Sequence, residues 1–377
     1  MRILQVTHRY RPRIGGMENY VYNLRACLSE LGHQVDVVTT DYRLPKLAKK
    51  ESYAIYSKTI AAPMDNPFSI DLIKELETRT DYDIYHLHSP WFLSTWIASR
   101  IFPRSKTVLT AHNATPYSRT RHGLARQFAH NVIKPIITYV LRRCKFIICL
   151  TETDKQTISN KFQISQAKIK VIPNGIPVNL TRLCDHDKDE LCKLLGLIPE
   201  SFKLLYVGRI QPDKNIDSLI SVADMLPDDV ELIVAGSSER FDYVRGLNRL
   251  IEKSHHQVRL FLDMPFDVLT CLYKYSDLFV TLGEIEGLPT TILEAMAFGL
   301  PVVYHQVGGV SELFATGGGI AVNRLDEKTL LDAILSFYTD ETFRNRAREE
   351  NLSTIEHFQW PMLAKRIEQV YYEVTKR

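Results

Sequence analysis

The chain has 377 residues, of which 45% are apolar and 24% are charged, and it is too long for one average domain. It has no run of about 18 apolar residues, which excludes a membrane-spanning helix from the prediction. The net charge of +3 conceals an asymmetry, because residues 1–180 carry 26 Lys and Arg against 13 Asp and Glu, while the remainder is acidic. No acidic residue lies between Asp83 and Glu152, so this stretch suits an anionic partner.

The first half of the chain alternates short apolar strands with amphipathic stretches. Met1–Thr7 predicts a buried strand rather than a signal peptide, and a helix is predicted from about Gly16 to Gly32. Further strands are predicted at Val35–Thr40, Ile84–Leu87, Thr107–Ala111 and Phe146–Leu150. Strands that alternate with helices indicate crossover connections and a parallel sheet.

The same pattern restarts after a polar stretch, Asn179–Glu200, that resembles a linker carrying a short helix. The second series of strands is predicted at Phe202–Val207, Glu231–Ala235, Val258–Leu262, Leu278–Thr281 and Pro301–Tyr304. We therefore expect an α/β fold with two Rossmann-like, doubly wound parallel-sheet domains, residues 1–180 and 181–360, facing a cleft. The last helix, residues 361–377, is predicted either to return to the first domain through Trp360 and its tyrosines or to stay with the second.

The six cysteines give no sign of a metal site. They form no CxxC pair and no His/Cys ligand spacing, so reduced thiols are expected rather than a disulfide framework. This composition makes the cytosol the default compartment.

Glu286 and Glu294 form the most specific motif, two carboxylates separated by seven residues. Pro289 suits the start of a helix, which places Glu286 in the preceding loop and Glu294 inside the helix. Acids near a helix N-terminus complement its dipole, which explains Glu286 but not an acid in the apolar helix interior. The amides at this helix start form a predicted anion site, from Leu288, Thr290 and Thr291. The motif therefore predicts a phosphate cradle with two hydroxyl-binding carboxylates.

Arg209 and Lys214 follow the first strand of the second series, after Gly208. Two cations beside a helix start repel its dipole unless they share an anion. A diphosphate would supply that anion, and arginine binds phosphate oxygens in a bidentate way. Alone the pair is more often a surface feature, but together with the carboxylate motif it indicates a diphosphate site.

These motifs, with the loop Gly15-Gly16-Met17-Glu18, the segment Thr110-Ala-His112 and the segment Ile172-Pro-Asn174-Gly175, resemble the retaining glycosyltransferases of the GT-B fold, in glycosyltransferase family 4. The resemblance covers essentially the whole length. It implies transfer of a sugar from a nucleotide-diphosphate donor, a UDP-sugar or GDP-mannose, with retention of the anomeric configuration. It also implies that no metal or other cofactor is needed.

In the second domain the resemblance assigns Arg209 and Lys214 to the donor diphosphate, where they stabilise the charge of the leaving group. Glu294 would accept hydrogen bonds from the ribose hydroxyls, and Glu286 would hold hydroxyls of the sugar. The loop at Met264 would contact the base, mostly through its backbone.

In the first domain the resemblance places the backbone of Gly15 and Gly16 at the donor phosphates and His112 beside the donor sugar. His112, Arg209, Lys214 and Glu286 are therefore the expected catalytic residues. Asn174 matches a family position near the cleft. The Pro-Ser that often precedes the first carboxylate is replaced here by Leu282–Gly283, a difference that bears on sugar specificity.

The acid-free stretch lies in the domain expected to bind the acceptor. Residues 117–143 read as a basic helical region broken near Pro135, which is attracted to anionic lipid. The candidate acceptor or membrane residues are Arg119, Arg121, Arg126, Lys134, Arg142 and Arg143. We expect a glycan or lipid-linked acceptor and a peripheral position on the cytoplasmic face of a membrane. Nucleic acid is not an expected partner, because no readout module is recognisable.

Two other functions stay open at this point. A nucleotide-sugar epimerase of the same fold uses a similar cleft but needs acid and base groups on the sugar ring. A non-catalytic, membrane-associated nucleotide-sugar binder would need the phosphate and carboxylate residues without turnover.

Overall fold

The computed structural model describes residues 1–13, 15–44, 50–113, 124–323 and 325–376, without the side chains of Met64 and residues 124–132. The chain divides into two compact units. The first unit comprises Met1–Gly175 with Trp360–Arg377, and the second comprises Ile176–Gln359. Each unit contains its own parallel sheet with helices, which confirms the predicted Rossmann-like α/β class.

The described part of the first unit holds one seven-stranded sheet. Its strands are β1 Arg2–Val6, β2 Gln34–Thr40, β3 Ala54–Ser57, β4 Ile84–His88, β5 Thr107–Ala111, β6 Phe146–Cys149 and β7 Ile169–Val171. They are parallel and lie in the order β3-β2-β1-β4-β5-β6-β7. The helices before the unit boundary are α1 Gly16–Glu30, α2 Ile70–Glu77, α3 Leu93–Ile101, α4 Leu124–Arg143 and α5 Glu152–Phe162.

The second unit holds a six-stranded parallel sheet within the described residues. Its strands are β8 Phe202–Arg209, β9 Val230–Ser237, β10 Gln257–Leu262, β11 Leu278–Thr281, β12 Val302–His305 and β13 Gly319–Val322, in the order β10-β9-β8-β11-β12-β13. Its helices are α6 Lys188–Leu195, α7 Ile216–Ala223, α8 Phe241–Ile251, α9 Phe266–Tyr275, α10 Thr290–Ala297, α11 Glu327–Thr339 and α12 Glu341–Ile355.

The central strands are apolar because both of their faces are covered. Every residue of β5 and of β11 is buried, as expected for strands between two layers of helices. The sequence did not predict β3, β7 and β13, and all three are edge strands. Edge strands are partly exposed, so they lack the continuous apolar run that identifies a central strand.

The last helix, α13 Trp360–Thr375, belongs to the first unit. The Trp360 ring packs edge-on against Tyr20, with 4.9 Å between the ring centroids. A hydrogen bond of 2.6 Å joins the hydroxyl of Tyr371 to Nδ1 of His86, and a contact of 2.6 Å joins Glu368 to Nε2 of His33. The chain thus completes the first unit after it has built the second.

Helix α4 continues through Pro135, so the predicted break is wrong. Proline lacks an amide N–H and removes one helical hydrogen bond. Burial of Ile137, Val140 and Leu141 offsets that loss, because these side chains anchor the helix in the core.

Two cysteines are paired, contrary to the prediction of reduced thiols. Cys184 and Cys271 form a disulfide with their Cα atoms 4.8 Å apart, across a sequence separation of 87 residues. Such a distant pair leaves no spacing signal in the sequence. Separately, no described helix is both long and apolar enough to cross a membrane.

Candidate active site

Strand β8 ends at the carboxyl edge of the second sheet. Near this end, two glycines on neighbouring strands lie very close together. Gly208 on β8 pairs with Gly236 on β9, and a Cβ at position 236 would overlap the carbonyl oxygen of Gly208. The strand then ends at the exposed Arg209, and Lys214 ends the short 3-10 turn that follows. Both predicted cations therefore lie just beyond a strand, where α/β sheets bind ligands.

Lys214 is buried and contacts the first carboxylate of the predicted motif. Its Nζ donates to Oε1 of Glu286 and lies 3.4 Å from the carbonyl oxygen of Ile285. Asp213 lies farther away, with 3.8 Å between Nζ and Oδ2. A buried ammonium needs such anionic partners, because removal from water destabilises an isolated charge. The structure thus brings together two predicted site residues that are 72 positions apart.

Gly283, the residue that departs from the family pattern, lies against this ion pair. A Cβ at position 283 would overlap the carboxylate of Glu286 and would lie 3.1 Å from Nζ of Lys214. Glycine therefore makes room for the ion pair as it stands here.

Glu294, the second carboxylate, lies within α10 and is only 9% exposed. Its Oε2 accepts a hydrogen bond of 2.9 Å from the hydroxyl of Tyr273, on α9. Burial raises the pKa of Glu294 to about 7, and the bond from Tyr273 opposes this rise. The carboxyl group is thus a buried acceptor that titrates near neutral pH.

Helix α10 starts one residue later than predicted, with Pro289 as its N-cap rather than its first helical residue, and Thr290 is the first residue. The first-turn amides of a helix lack intrahelical acceptors, and Thr290 and Thr291 occupy that turn. Leu288 is buried just before them. At the end of β10, the half-buried Met264 follows Asp263, whose positive φ of 51° turns the chain.

In the first unit, His112 follows β5 and belongs to a buried network. Its Nε2 lies 3.2 Å from Nδ1 of His88, and Nε2 of His88 lies 3.0 Å from Oε1 of Gln5. The ring of Tyr20 packs edge-on against His112 at 4.8 Å. Burial lowers the pKa of His112 to about 3, so the imidazole is neutral at pH 7.

Gly15 and Gly16 form the beginning of α1. Gly15 is the N-cap, and its carbonyl accepts the amide of Asn19 at 2.9 Å. A Cβ at Gly15 would overlap the carboxylate of Glu18, which is buried against the helix start. Asn174 is buried at the end of the first unit, just after β7.

The predicted basic surface is described only in part. Arg119 and Arg121 lie outside the described residues, and Arg126 lies in α4 without a described side chain. A cavity of about 580 Å³ is lined by Arg104, Lys134, Pro135, Thr138, Tyr139, Arg142 and Arg143. Arg143 also donates to the carbonyl of Ser99 at 3.0 Å, which ties it to α3.

Two polar residues next to predicted site residues gave no signal in the sequence. Tyr273 lies in an apolar helix pattern, 21 residues from Glu294, and Gln5 lies inside an apolar strand. Only the packing of neighbouring elements reveals their partners. No group of three His, Cys, Asp or Glu in the described ranges has a geometry that could hold a metal ion.

Two family profiles match the chain in succession. Residues 14–180 match Glycosyltransferase Family 4, and residues 187–353 match Glycosyl transferases group 1. Together they span most of the sequence and include every motif discussed above. The chain therefore belongs to the group 1 glycosyltransferases of family 4, as the sequence motifs predicted.

Individual proteins agree with this assignment. An uncharacterized glycosyltransferase, MJ1607 of Methanocaldococcus jannaschii, is 27% identical over 98% of both chains. The GPI3 subunit of a Saccharomyces cerevisiae phosphatidylinositol N-acetylglucosaminyltransferase is 22% identical over 97% of this chain and 81% of its own length. The structure of Anabaena HepE in complex with UDP and glucose superposes with a TM-score of 0.78 at 17% identity, covering 99% of this chain and 100% of HepE, and it shows that the fold is shared.

Proposed function

We propose that this glycosyltransferase moves a sugar from a nucleotide-diphosphate donor, a UDP-sugar or GDP-mannose, to a glycan or lipid-linked acceptor with retention of configuration. One observation carries the proposal: Lys214 and Glu286 meet at the carboxyl edge of the second sheet, immediately before α10. A cation, a carboxylate and first-turn amides at one place suit a sugar diphosphate better than any uncharged ligand. The UDP and glucose bound by HepE support the same donor class.

In this proposal the second unit holds the donor. Lys214 and Arg209 bind the diphosphate and stabilise its growing negative charge as the glycosyl bond breaks. Glu286 then leaves Lys214 and accepts hydrogen bonds from sugar hydroxyls. Glu294 accepts hydrogen bonds from the ribose. These two cations supply the charge that a metal ion provides in other transferases, so we propose that transfer needs no metal.

The transfer step itself requires no strong protein base. The leaving phosphate accepts the proton of the attacking hydroxyl on the same face of the sugar, through an oxocarbenium-like state. The neutral His112 contributes by orienting the donor sugar. The protein acts mainly through position and electrostatics.

A donor screen tests the reaction class. Thermal unfolding is followed with UDP-glucose, GDP-mannose and ADP-glucose, and Glu294→Ala is expected to reduce the stabilisation by the active donor. Glu349→Ala, an exposed acid on α12, serves as the control. Products made in EDTA are then examined by NMR for the anomeric configuration. An inverted product overturns retention, and epimerised donor without transfer favours the epimerase.

We further propose that the first unit docks on an anionic membrane, on its cytoplasmic face, where a lipid-linked acceptor resides. On α4, Ile136 is 41% and Tyr139 is 38% exposed, beside Lys134 and Arg142. Apolar side chains flanked by cations suit the interface of anionic lipid, at about 1 kcal/mol per basic residue. The lipid substrate named for the yeast relative supports this acceptor class.

Vesicle flotation tests the membrane proposal. The protein is expected to float with anionic vesicles and to stay at the bottom with neutral ones. Lys134→Gln with Arg142→Gln should reduce flotation, whereas Lys58→Gln with Lys74→Gln removes the same charge elsewhere in this unit. Equal behaviour of the two double variants would overturn the role of α4.

A further inference from the structure

Tyr273 is a buried hydroxyl donor aimed at Glu294. The residue is 1% exposed, and its ring stacks on Phe298 with a centroid separation of 5.8 Å. Phe279 packs on the same ring at 5.9 Å. Both rings pack against the phenol, and its hydroxyl donates to Oε2 of Glu294 at 2.9 Å.

Among the described residues, no basic side chain forms a salt bridge with Glu294. The hydrogen bond from the Tyr273 hydroxyl is the interaction that opposes the burial-driven rise of its pKa. Tyr206 lies near Tyr273, but its own hydroxyl donates to the carbonyl of Arg209 at 3.0 Å. Glu294 therefore relies on one neutral hydrogen bond to remain ionised in a buried position.

We propose that Tyr273 is a positioning residue for the donor nucleotide: its hydroxyl holds Oε2 of Glu294, which leaves Oε1 to accept hydrogen bonds from the ribose. The inference rests on the proposed function, in which Glu294 binds that ribose. It adds a residue 21 positions away that determines the orientation and the ionisation of the ribose acceptor. Burial raises the pKa of Glu294 to about 7, so the state of this group matters at physiological pH.

The test compares donor binding by the wild type and Tyr273→Phe from about pH 6 to about pH 9. The probe is whichever of UDP-glucose, GDP-mannose and ADP-glucose binds the wild type, measured by titration calorimetry. Phenylalanine keeps the ring between Phe279 and Phe298 but removes the bond that favours the charged carboxylate, so the pKa of Glu294 rises. Because the ionised carboxylate binds the ribose, Kd near pH 6.5 is expected to increase about tenfold. At about pH 9, Glu294 is ionised in both proteins and only the loss of orientation remains, so the difference between the two Kd values should shrink to about twofold.

Tyr275→Phe is the matched control, since this residue is on the same helix and donates to the carbonyl of His186 at 3.0 Å. It should show the wild-type pH profile. In a Glu294→Gln background, Tyr273→Phe should no longer shift the profile. A merely structural role for Tyr273 would instead raise Kd equally at every pH. That result, or wild-type binding with an unchanged profile in Tyr273→Phe, overturns this inference alone, whereas failure of the wild type to bind any of the three donors overturns the proposed function as well.

Discussion

At the scale of single residues, Lys214 is a buried cation held by an ion pair with a carboxylate. Its closest partner, Glu286, is itself a predicted sugar-binding residue, so the ion pair occupies both groups when the donor is absent. In the proposed mechanism Glu286 is released to the sugar and phosphate oxygens replace it, so the ammonium stays paired throughout. Each of the two residues would thus neutralise the other until the donor binds.

Substitution of Lys214 should therefore affect transfer more than folding. Lys214→Ala removes a charge that stabilises the leaving diphosphate, and we expect kcat to fall by about 10²–10³. Steady-state assays with the active donor measure this loss. Lys193→Ala, an exposed lysine of α6, is the control and should retain full activity. Full activity of Lys214→Ala would remove this residue from the mechanism.

Four histidines, His8, His86, His88 and His112, make the first unit sensitive to acid. Burial lowers the pKa of His86 and His112 to about 3, and the pKa values of His8 and His88 well below their ordinary value. In the unfolded chain the pKa of each histidine is about 6.5. Above that pH the imidazoles are neutral in both the folded and the unfolded chain, so they do not lower the free energy of unfolding. Below it, the unfolded chain takes up protons that the folded unit excludes, and each histidine costs about 1.4 kcal/mol per pH unit.

Urea unfolding followed by tryptophan fluorescence measures this effect, because Trp91, Trp96 and Trp360 all lie in the first unit. The free energy of unfolding should fall between about pH 6.5 and pH 5. His88→Gln should remove about a quarter of that slope, since one of four neutral imidazoles is lost. His255→Gln, an exposed histidine of the second unit, should leave it unchanged. A flat profile in the wild type would contradict the assignment of neutral buried histidines.

At the scale of elements, two glycines of the second unit have opposite environments. Gly236 lies on β9 where a Cβ would overlap the backbone of β8, whereas Gly246 lies inside α8 with open space around it. Strand β8 ends at Arg209, a residue of the proposed donor site, so its close pairing with β9 bears on that proposal. A Gly→Ala substitution should therefore change the free energy of unfolding in opposite directions at the two positions.

Gly236→Ala should destabilise the second unit by about 2–4 kcal/mol, because the clash is with backbone that has to shift. Gly246→Ala should stabilise it by about 0.5–1 kcal/mol, since alanine favours a helix interior. Chemical denaturation of the purified variants measures both changes. If Gly236→Ala were neutral, the close approach of β8 and β9 would not be required for folding.

At the scale of the whole molecule, the last helix, α13, follows the second unit in the chain but belongs to the first unit. Trp360 and Tyr371 are 2% and 0% exposed, and both contact residues of the first unit. Loss of a buried large aromatic side chain costs about 3–5 kcal/mol, and a whole domain has about 5–15 kcal/mol of stability. The first unit should therefore depend on residues that follow the second in the chain.

Truncation after Gln359 is expected to abolish amide protection in the first unit and to preserve it in the second. Hydrogen exchange with peptide-level resolution measures the two units separately. A chain that ends at Thr375 is the control, because it keeps all of α13. Retained protection of the first unit after the longer truncation would show that α13 is dispensable.

The sequence by itself determined the α/β class, the family and the positions of the cation and carboxylate motifs beyond strand ends. These features are local, because a strand covered on both faces requires an apolar run and a ligand-binding loop follows it directly. The central strands β5 and β11 were predicted to the residue for this reason.

Tertiary structure alone decided what joins distant segments. The pairing of Lys214 with Glu286, the bond from Tyr273 to Glu294 and the disulfide between Cys184 and Cys271 connect residues 72, 21 and 87 positions apart. Periodicity reports only how a segment is buried, not which segment covers it. The unpredicted edge strands β3, β7 and β13, the continuity of α4 through its proline and the placement of α13 depend on that covering.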